Sequence, residues 1–436
     1  MKKLVFSILT LAVVALAGNN AAARNVTVAE AAQAGACYME HNTMQEKVLA
    51  SDFVLTHTIE SEMGPAAYCF NVSDWGWIIM AASTVVDPVG AFAEGSTLPE
   101  WESLPPAMRE WCEGYAAMIG YLQKVDVDEH LQDVDEWNDL FNDKVGYNAK
   151  DGDPRVILMT SFWDQGENRN PTYNYYCPQD PDNGKYCYTG CVATAMAQII
   201  RYYGFPIEPK GRKNYYTDTY GFNLRLKFDT LHFDYSQMPD RLFTSSTQAQ
   251  IHNVAMLSYA CGVAVTMDYT PSGSGTQSRF VPDAMSTHFK YVTPTRTARS
   301  DVSTSTFIGL IRDDLMLRRP VYMSGSSPVG SGADAAGHAW VCCGFRTDNE
   351  KQYYMNWGWS GSGDGFFNIW DNTQNGMYIQ GMGYAFTQSH NVITGIIPPS
   401  PDSTNVDFMT PISVVEDNTV LAPAYPNPAV FSVTLP

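Results

Sequence analysis

The sequence predicts an α+β protein built from a small N-terminal unit and a larger C-terminal unit. Its 436 residues leave room for two or three domains, and 45% hydrophobic and 13% aromatic residues can fill their cores. In the larger unit the helical patterns precede most of the strand patterns, which is typical of an α+β fold rather than of repeated βαβ units. A stretch rich in acidic residues separates the two units.

The N-terminal segment and the net charge indicate where the protein is located and which partners it does not bind. Residues 1–23 combine a basic start, an apolar run and small residues, as a secretory signal peptide does. No later apolar run approaches the roughly 20 residues of a membrane-spanning helix, so we expect an exported protein with no transmembrane helix. The net charge of −19 disfavours binding to phosphates, and no nucleic-acid partner is expected.

Hydrophobic periodicity, together with proline and glycine at the boundaries, predicts the elements of both units. In the smaller unit we expect helices and strands over residues 26–49, 53–60, 67–72, 76–82 and 105–123, in the order helix, three strands, helix. In the larger unit we expect a strand, three helices and four strands over residues 156–158, 191–203, 247–262, 303–318, 321–324, 339–345, 352–357 and 365–370.

Residues 126–153 form the acidic stretch between the units, and they allow two interpretations. A charged segment with few large apolar residues after Phe141 is typical of a solvated linker that proteases reach. The alternative is that the charges form the outer face of a helix around Trp137.

A cysteine lies at the start of the helix predicted over residues 191–203. Thr189 and Gly190 occupy the capping positions, and Gly204 follows the last apolar residue. The first turn of a helix has N–H groups without acceptors and a partial positive charge, which lowers the pKa of a thiol. Cys191 is therefore a candidate nucleophile, although a buried structural cysteine explains this segment equally well.

A thiolate nucleophile also requires a base, and His338 is the candidate among the eight histidines. It lies among small and aromatic residues, directly after the loop over residues 325–336. Asn356, Trp357 and Trp359 offer an amide that holds the imidazole and indoles that shield it from water. The alternatives are a hydrogen-bonded structural histidine and a plain core cluster of tryptophans.

Several separate segments together resemble the streptopain family of papain-fold cysteine peptidases. They are Thr-Gly-Cys-Val-Ala-Thr-Ala-Met-Ala-Gln at 189–198, Gly-His-Ala at 337–339, Asn-Trp-Gly-Trp at 356–359 and Asp-Gly-Phe-Phe at 364–367, and the loop over 267–274 is similar as well. The resemblance extends over about residues 156–397. It implies a papain-like fold, with a helical part and an antiparallel sheet or barrel part, behind a small α+β propeptide domain.

The same resemblance implies a role for each candidate. Cys191 is the nucleophile, His338 is the general acid/base, and Gln165 is a donor to the oxyanion. A tryptophan of the Asn-Trp-Gly-Trp segment supports the histidine, which favours Trp359 and leaves Trp357 and Asn356 as alternatives. No cofactor and no metal are expected.

The resemblance further implies a zymogen. Residues 24–145 match an inhibitory propeptide, in which residues 68–83 form a strand pair, and residues 146–398 match the catalytic domain. The expected partners are protein or peptide substrates, cut after a bulky apolar residue two positions before the scissile bond, and the chain's own propeptide. The Gly-rich segment over 376–383 is expected beside the active site. Residues 399–436 are expected to hold a linker and the start of a truncated type IX secretion sorting domain.

Two other functions remain open at this point: an amidase or acyltransferase with the same chemistry, and a surface binding protein that has lost the reaction. The nine cysteines allow disulfides, with Cys177 and Cys187 as one candidate pair. The adjacent Cys342 and Cys343 are expected on opposite faces of a strand. A zinc site made of Cys177, Cys187 and Cys191 is disfavoured, because their spacing matches no usual pair of ligands.

Overall fold

The computed structural model describes residues 24–412, except for residues 44, 46, 74, 125–130, 145–152, 168, 327–336, 370–372, 375–376 and 379–387. The expected signal peptide (1–23) and the expected sorting domain beyond residue 412 lie outside the described residues. Within them lie the helices α1 (Val28–Asn42), α2 (Pro106–Lys124), α3 (Leu131–Phe141), α4 (Cys191–Tyr203), α5 (Gln248–Ala264), α6 (Val281–Phe289) and α7 (Thr304–Met316).

The strands of the small unit are β1 (Phe53–Ser61), β2 (Gly64–Val72), β3 (Gly76–Ala81) and β4 (Val89–Glu94). Those of the large unit are β5 (Arg155–Ile157), β6 (Arg212–Tyr216), β7 (Asn223–Lys227), β8 (Thr295–Ala298), β9 (Val321–Ser326), β10 (His338–Arg346), β11 (Gln352–Asn356), β12 (Gly365–Asn368), β13 (Thr373–Gln374), β14 (Met377–Tyr378) and β15 (Gln388–Thr394). The α+β class is confirmed.

The small unit is a meander of four antiparallel strands, β1 to β4, packed against helices. Its first helix, α1, begins with a capping box between Thr27 and Glu30 and ends at Asn42, so the helix predicted over 26–49 was too long. The strand β4 was missed. Its small residues, including Gly90 and Ala91, carry a weak strand signal, yet they let the strand lie against Tyr115 of α2.

Part of the acidic stretch between the units is a helix. Helix α3 packs against α1, and Trp137 is fully buried with its indole N–H donating to the Val86 carbonyl at 3.0 Å. The interpretation as an acidic outer face around Trp137 is therefore correct for residues 131–141, and the linker interpretation is wrong there. Residues 145–152 lie outside the described part of the chain.

The two units share one sheet. The strand order is β1-β2-β3-β4-β12-β11-β10-β9-β15-β8, and β5 adds to β10. Small and large units meet where β4 pairs with β12, with Phe92 opposite Phe366 and Ala91 opposite Phe367. Because of this main-chain pairing, the small unit extends the sheet of the large unit and is not joined to it only by a linker.

Aromatic packing and polar pairs reinforce this junction. The rings of Phe92 and Phe366 stack at 5.5 Å between centroids, and Trp77 and Trp111 pack on Phe367 at 5.8 and 5.0 Å. The polar pairs across the junction are Asp87 with Lys351, Glu94 with Arg155, Asn42 with Arg346 and Tyr38 with Gln352. The apolar cluster of the small unit is therefore continuous with that of the large unit.

Strand β10 lies between two hydrophobic cores. Cys342 belongs to the core shared with the small unit, and Cys343 belongs to the core around α4 and α5. Their predicted opposite orientation is confirmed. Cys177 and Cys187 are both free and buried, so the suggested disulfide between them is wrong.

Helix α6 and strands β6, β7, β8 and β15 had no counterpart in the sequence prediction. Strands β6 and β7 alternate exposed residues with less exposed ones, of which only Leu224 is buried, and they form a separate hairpin. Among the described residues, the helices are too short or too polar to cross a membrane.

Gly365 tests the junction. A Cβ at this position would lie 2.7 Å from both the Phe92 carbonyl oxygen and the Trp77 ring, so Gly365→Ala is expected to destabilise the full chain by about 1–3 kcal/mol. A Cβ at Gly309 in α7 meets nothing within 4 Å, and Gly309→Ala is expected to stabilise the chain by up to about 1 kcal/mol. Urea unfolding of the two variants measures this difference in sign. Equal stability of the two variants would contradict the tight junction.

Candidate active site

Cys191 is the first residue of α4, and a glycine sets the entry to this helix. Gly190 has φ of +84°, and a Cβ there would lie 2.7 Å from the Met267 sulfur and 2.9 Å from the Ser274 carbonyl oxygen. Both the left-handed backbone and the crowding require glycine at this position. The predicted start of the helix is confirmed, and its cap, Gly190, has no side chain that could accept a hydrogen bond.

The loop over residues 267–274, which the sequence analysis noted, holds the segment before Cys191. The Ser274 hydroxyl donates to the Tyr188 carbonyl at 2.6 Å, and the Tyr188 N–H donates to the Thr270 carbonyl at 3.2 Å. On the other side, the Thr189 N–H donates to the Gln165 carbonyl at 3.0 Å. Cys191 is thus presented by a turn that is fixed on two sides.

The structure brings Cys191 to the start of β10. Helix α4 packs against this strand, and the Cys191 thiol lies within hydrogen-bonding reach of the Ala339 N–H. Ala339 directly follows His338, the first residue of the strand. The two residues chosen as nucleophile and base therefore lie at one place in the fold, although 147 positions separate them in the sequence (338 − 191).

His338 is buried, and a main-chain group orients its ring. Nε2 lies 3.1 Å from the Trp357 carbonyl oxygen. Because a carbonyl only accepts, Nε2 carries the proton, and Nδ1 is the ring atom that is able to accept another. The Trp359 ring lies 6.4 Å from the imidazole and tilts by 43°, while the Trp340 ring is nearly parallel to it at 6.3 Å.

The three candidates of the 356–359 segment have different surroundings. Trp357 holds His338 through its backbone carbonyl, and Trp359 covers the imidazole from one side. Asn356 is buried away from the ring: its side chain donates to the Ser161 carbonyl at 2.6 Å and accepts from Gln198 at 2.9 Å. Asn356 is therefore placed to connect strand β11 with helix α4 rather than to touch the imidazole.

Gln165 lies on the loop beside the Cys191 turn. The carboxylate of Asp164 accepts from the Gln165 N–H at 2.5 Å, and its other oxygen accepts from the Ser360 hydroxyl at 2.8 Å. Asp164 thereby connects the loop that carries Gln165 to the turn that carries Trp359. Sequence reasoning missed this role, although an acidic residue directly before the predicted oxyanion donor was visible.

Gln198 is a second residue that the sequence analysis overlooked. It is fully buried in α4, two helical turns after Cys191, and its side-chain oxygen accepts from the Trp163 N–H at 3.1 Å. Its amide N–H₂ donates to Asn356. The sequence does show Gln198 as a polar residue on the apolar face of the helix. A polar side chain that is buried there requires hydrogen-bond partners.

The electrostatics of the pair differ from the expectation. Burial raises the pKa of the Cys191 thiol, and this outweighs the lowering by the N–H groups of Ala339, Val192 and Cys191 itself. Burial also lowers the pKa of His338 to about 4, against a smaller opposing effect of the Trp357 carbonyl. Both shifts favour the uncharged forms of the two groups in the full chain, so the predicted lowering of the thiol pKa is not found in this form.

Asp364 is the third overlooked residue. It is buried, one carboxyl oxygen accepts from the Trp357 N–H at 2.8 Å, and the other has no hydrogen-bond partner among the described residues. Burial raises its pKa to about 7. Asp364 thus fixes the peptide whose carbonyl orients His338. It was visible only as part of a motif, because the sequence does not show which N–H a carboxylate will meet.

Comparison with known proteins agrees with this geometry. Residues 163–367 match the peptidase C10 family, and residues 23–119 match the Spi protease inhibitor family. The large unit therefore contains a segment similar to peptidase C10 enzymes, behind a segment similar to Spi inhibitors. The matched C10 segment contains Gln165, Cys191 and His338, and the Spi segment covers most of the small unit.

Two curated relatives are similar over longer stretches than the C10 match. The chain is 30% identical over 318 residues to the thiol protease/hemagglutinin PrtT of Porphyromonas gingivalis and 31% identical over 224 residues to streptopain of Streptococcus pyogenes. These matches take in 70% and 49% of this chain, which spans only 34% and 54% of the length of the two relatives.

A solved structure resembles this chain over both units. A mutant fragment of Prevotella intermedia prointerpain A superposes with a TM-score of 0.62 at 22% identity. The superposition covers 80% of this chain and 100% of that fragment. The papain-like fold with a preceding α+β unit is therefore confirmed.

Asp364 gives a test of the site's support. Its raised pKa means that folding favours the protonated form, so its contribution to stability is present at pH 4 and is lost as the pH rises through about 7. Asp364→Asn keeps an acceptor for the Trp357 N–H without a charge, and it is expected to flatten this decline. Asp364→Ala removes the acceptor and is expected to cost about 1–3 kcal/mol. Urea unfolding between pH 4 and 8 checks both; an unchanged pH dependence in Asp364→Asn would contradict the assignment.

Proposed function

We propose that the chain is a cysteine endopeptidase made as a zymogen, with residues 24–145 as the inhibitory propeptide and 146–398 as the catalytic domain. The observation that carries this proposal is the meeting of the Cys191 thiol, at the mouth of α4, with the Ala339 N–H beside a His338 ring that Trp357 orients. The C10 and Spi matches support the same reading.

In the proposed reaction, His338 Nδ1 accepts the thiol proton as the Cys191 sulfur attacks the scissile carbonyl carbon. The imidazolium keeps its Nε2–H hydrogen bond to the Trp357 carbonyl, so the ring does not turn during proton transfer. The proton then passes to the leaving amine, and water releases the acyl group from sulfur by the reverse sequence. Trp359 beside the ring limits the access of water to this bond.

The developing oxyanion requires donors at a fixed place. The Cys191 N–H belongs to the first turn of α4 and has no acceptor within the helix. The Gln165 side chain is the second proposed donor, since its backbone carbonyl is hydrogen-bonded to Thr189 and Asp164 fixes its N–H. A loop fixed at both points is preorganised for charge that develops only in the transition state.

The latent state follows from the electrostatics. A neutral thiol is a weak nucleophile, and the full chain favours it through the surroundings of the half-buried Cys191 and the buried His338. The small unit contacts the turn that supports His338, because Met108 of α2 packs against Gly363. The Gly363 carbonyl accepts from the Trp357 indole N–H at 3.0 Å. The propeptide is proposed to act on His338 through its contacts with this turn and with the edge of β12. Loss of the propeptide removes both contacts.

Substitution of the reacting groups tests the chemistry. Cys191→Ala and His338→Ala are each expected to abolish peptide hydrolysis by the processed enzyme, and the double variant is expected to be no worse because the two act as a unit. Gln165→Ala is expected to lower kcat by about 10²–10³-fold. Turnover of casein and of short peptides is the measurement. Peptides left intact by a folded, processed wild-type chain would instead favour an amidase or acyltransferase.

Cleavage of the tether tests the zymogen. The full chain is expected to be inactive and its Cys191 slow to react with iodoacetamide, and cleavage between Asn142 and Arg155 is expected to raise both rates. Lys144, Lys150 and Arg155 suit a trypsin-like activator. Intact Cys191→Ala chain that stays whole alone and is trimmed by added wild type would show self-processing in trans. Equal activity before and after cleavage would contradict the propeptide assignment.

We further propose a preference for a bulky apolar residue two positions before the scissile bond, and export through a signal peptide over residues 1–23 followed by type IX secretion. The resemblance of the sequence is the support for both proposals. Of the Gly-rich segment over 376–383, the structure describes only the short strand β14. Peptides varied at that one position, and fractionation of the producing cells, distinguish these proposals from an unselective or retained enzyme.

A further inference from the structure

A cluster of three potential metal ligands lies in the small unit, away from the active site. Cys37 and His41 are one turn apart on the same face of α1, and Asp143 follows α3. The Asp143 oxygen lies 3.5 Å from the Cys37 sulfur and 2.8 Å from His41 Nε2. The three ligand atoms lie within 4.8 Å of one another.

The arrangement differs from a second nucleophilic triad. In a triad the histidine lies between the nucleophile and the carboxylate, with one ring nitrogen for each. Here the Cys37 sulfur and His41 Nε2 both approach the same oxygen of Asp143. Burial and Asp143 also raise the pKa of Cys37 to about 12, which is the opposite of activation. Two side chains that approach one carboxylate oxygen bring a sulfur, a nitrogen and an oxygen close enough together to share a cation.

We propose that Cys37, His41 and Asp143 bind a divalent transition metal of the Zn²⁺ type, with the remaining position open to water. A thiolate, an imidazole and a carboxylate form a ligand set that Zn²⁺ accepts. Bond lengths of this metal place tetrahedral S and O ligands about 3.6 Å apart and N and O ligands about 3.4 Å apart. The first distance already matches, and the second requires His41 and Asp143 to separate by roughly 0.6 Å.

Binding exchanges protons for the metal. The Cys37 thiol releases its proton to solvent and binds as thiolate. His41 binds as a neutral imidazole through Nε2: the proton that Nε2 donates to Asp143 leaves to solvent, and Nδ1 carries the proton of the neutral ring. The hydrogen bonds from Cys37 and His41 to Asp143 are replaced by three bonds to the metal. Glu40 and Asp143, whose charges raise the Cys37 pKa, favour the cation. Affinity is therefore expected to fall as the pH is lowered.

The three proposed ligands connect two segments of the small unit. Two ligands lie on α1, and the third, Asp143, lies at the start of the region between Asn142 and Arg155 where we propose that the zymogen is cut. A bound metal therefore ties α1 to the start of the proposed cleavage region. The metal site itself stands on the geometry of α1 and Asp143 and does not depend on peptidase activity.

Metal titration of the full-length Cys191→Ala chain tests the site without interference from the catalytic thiol. Cys37 and Cys191 are the two cysteines that are not buried, so Cys37 remains the accessible thiol in this background. Calorimetry with Zn²⁺ is expected to give one site, and Co²⁺ is expected to give sulfur-to-metal charge-transfer absorption. Cys37→Ser is expected to remove that absorption, and His41→Gln and Asp143→Asn are expected to weaken Zn²⁺ binding at least tenfold.

The controls separate ligation from general damage. His57→Gln and Asp139→Asn change the same residue types in the same unit and are expected to leave Zn²⁺ affinity unchanged. Asparagine tolerates the left-handed backbone of Asp143, which has φ of +53°, so Asp143→Asn keeps the turn. Circular dichroism verifies the fold of each variant. Unchanged Co²⁺ absorption in Cys37→Ser, or equal Zn²⁺ affinity in the control and ligand variants, would overturn the proposal.

Discussion

The antiparallel register between β10 and β11 is the constraint on which the candidate site depends. Val341 pairs with Asn356, so the start of β10 faces the chain just after β11 ends. This register brings the His338 ring to the Trp357 carbonyl, and that carbonyl selects the tautomer of the imidazole. A slip by one residue would turn His338 to the other face of the sheet and separate it from Cys191.

The same strand also connects the small unit to the candidate site. The core on one face of β10 continues through β12 into the small unit, whereas the core on the other face belongs to α4 and Cys191. The tryptophan that orients His338 belongs to the first of these cores and packs on Phe367 at 5.1 Å. Phe367 in turn packs on Trp77 and Trp111 of the small unit. A chain of packed rings therefore links the small unit to the tryptophan that orients His338.

The sequence predicted elements whose signals lie within one segment. It did not predict features that depend on contacts with residues far away in the chain. The Cys191 helix was predicted well because Gly190, the apolar spacing and Gly204 lie within one segment. Strand β4 and the polar groups Asp164, Gln198 and Asp364 were missed because their meaning depends on partners far away in the chain. The thiol pKa failed for the same reason: the helix terminus is visible in the sequence, and the burial that outweighs it is not.

The two partly exposed cysteines show that surroundings, not residue type, set the chemistry of a thiol. Cys191 lies at the N-terminus of a helix, among N–H groups that stabilise a thiolate once solvent or an imidazolium compensates the burial. Cys37 lies within a helix and faces carboxylates, which hold its proton. The proposed partner of Cys191 is the imidazole of His338, and a bound cation would stabilise the thiolate of Cys37. The first environment therefore suits transient attack on a carbonyl, and the second suits lasting coordination.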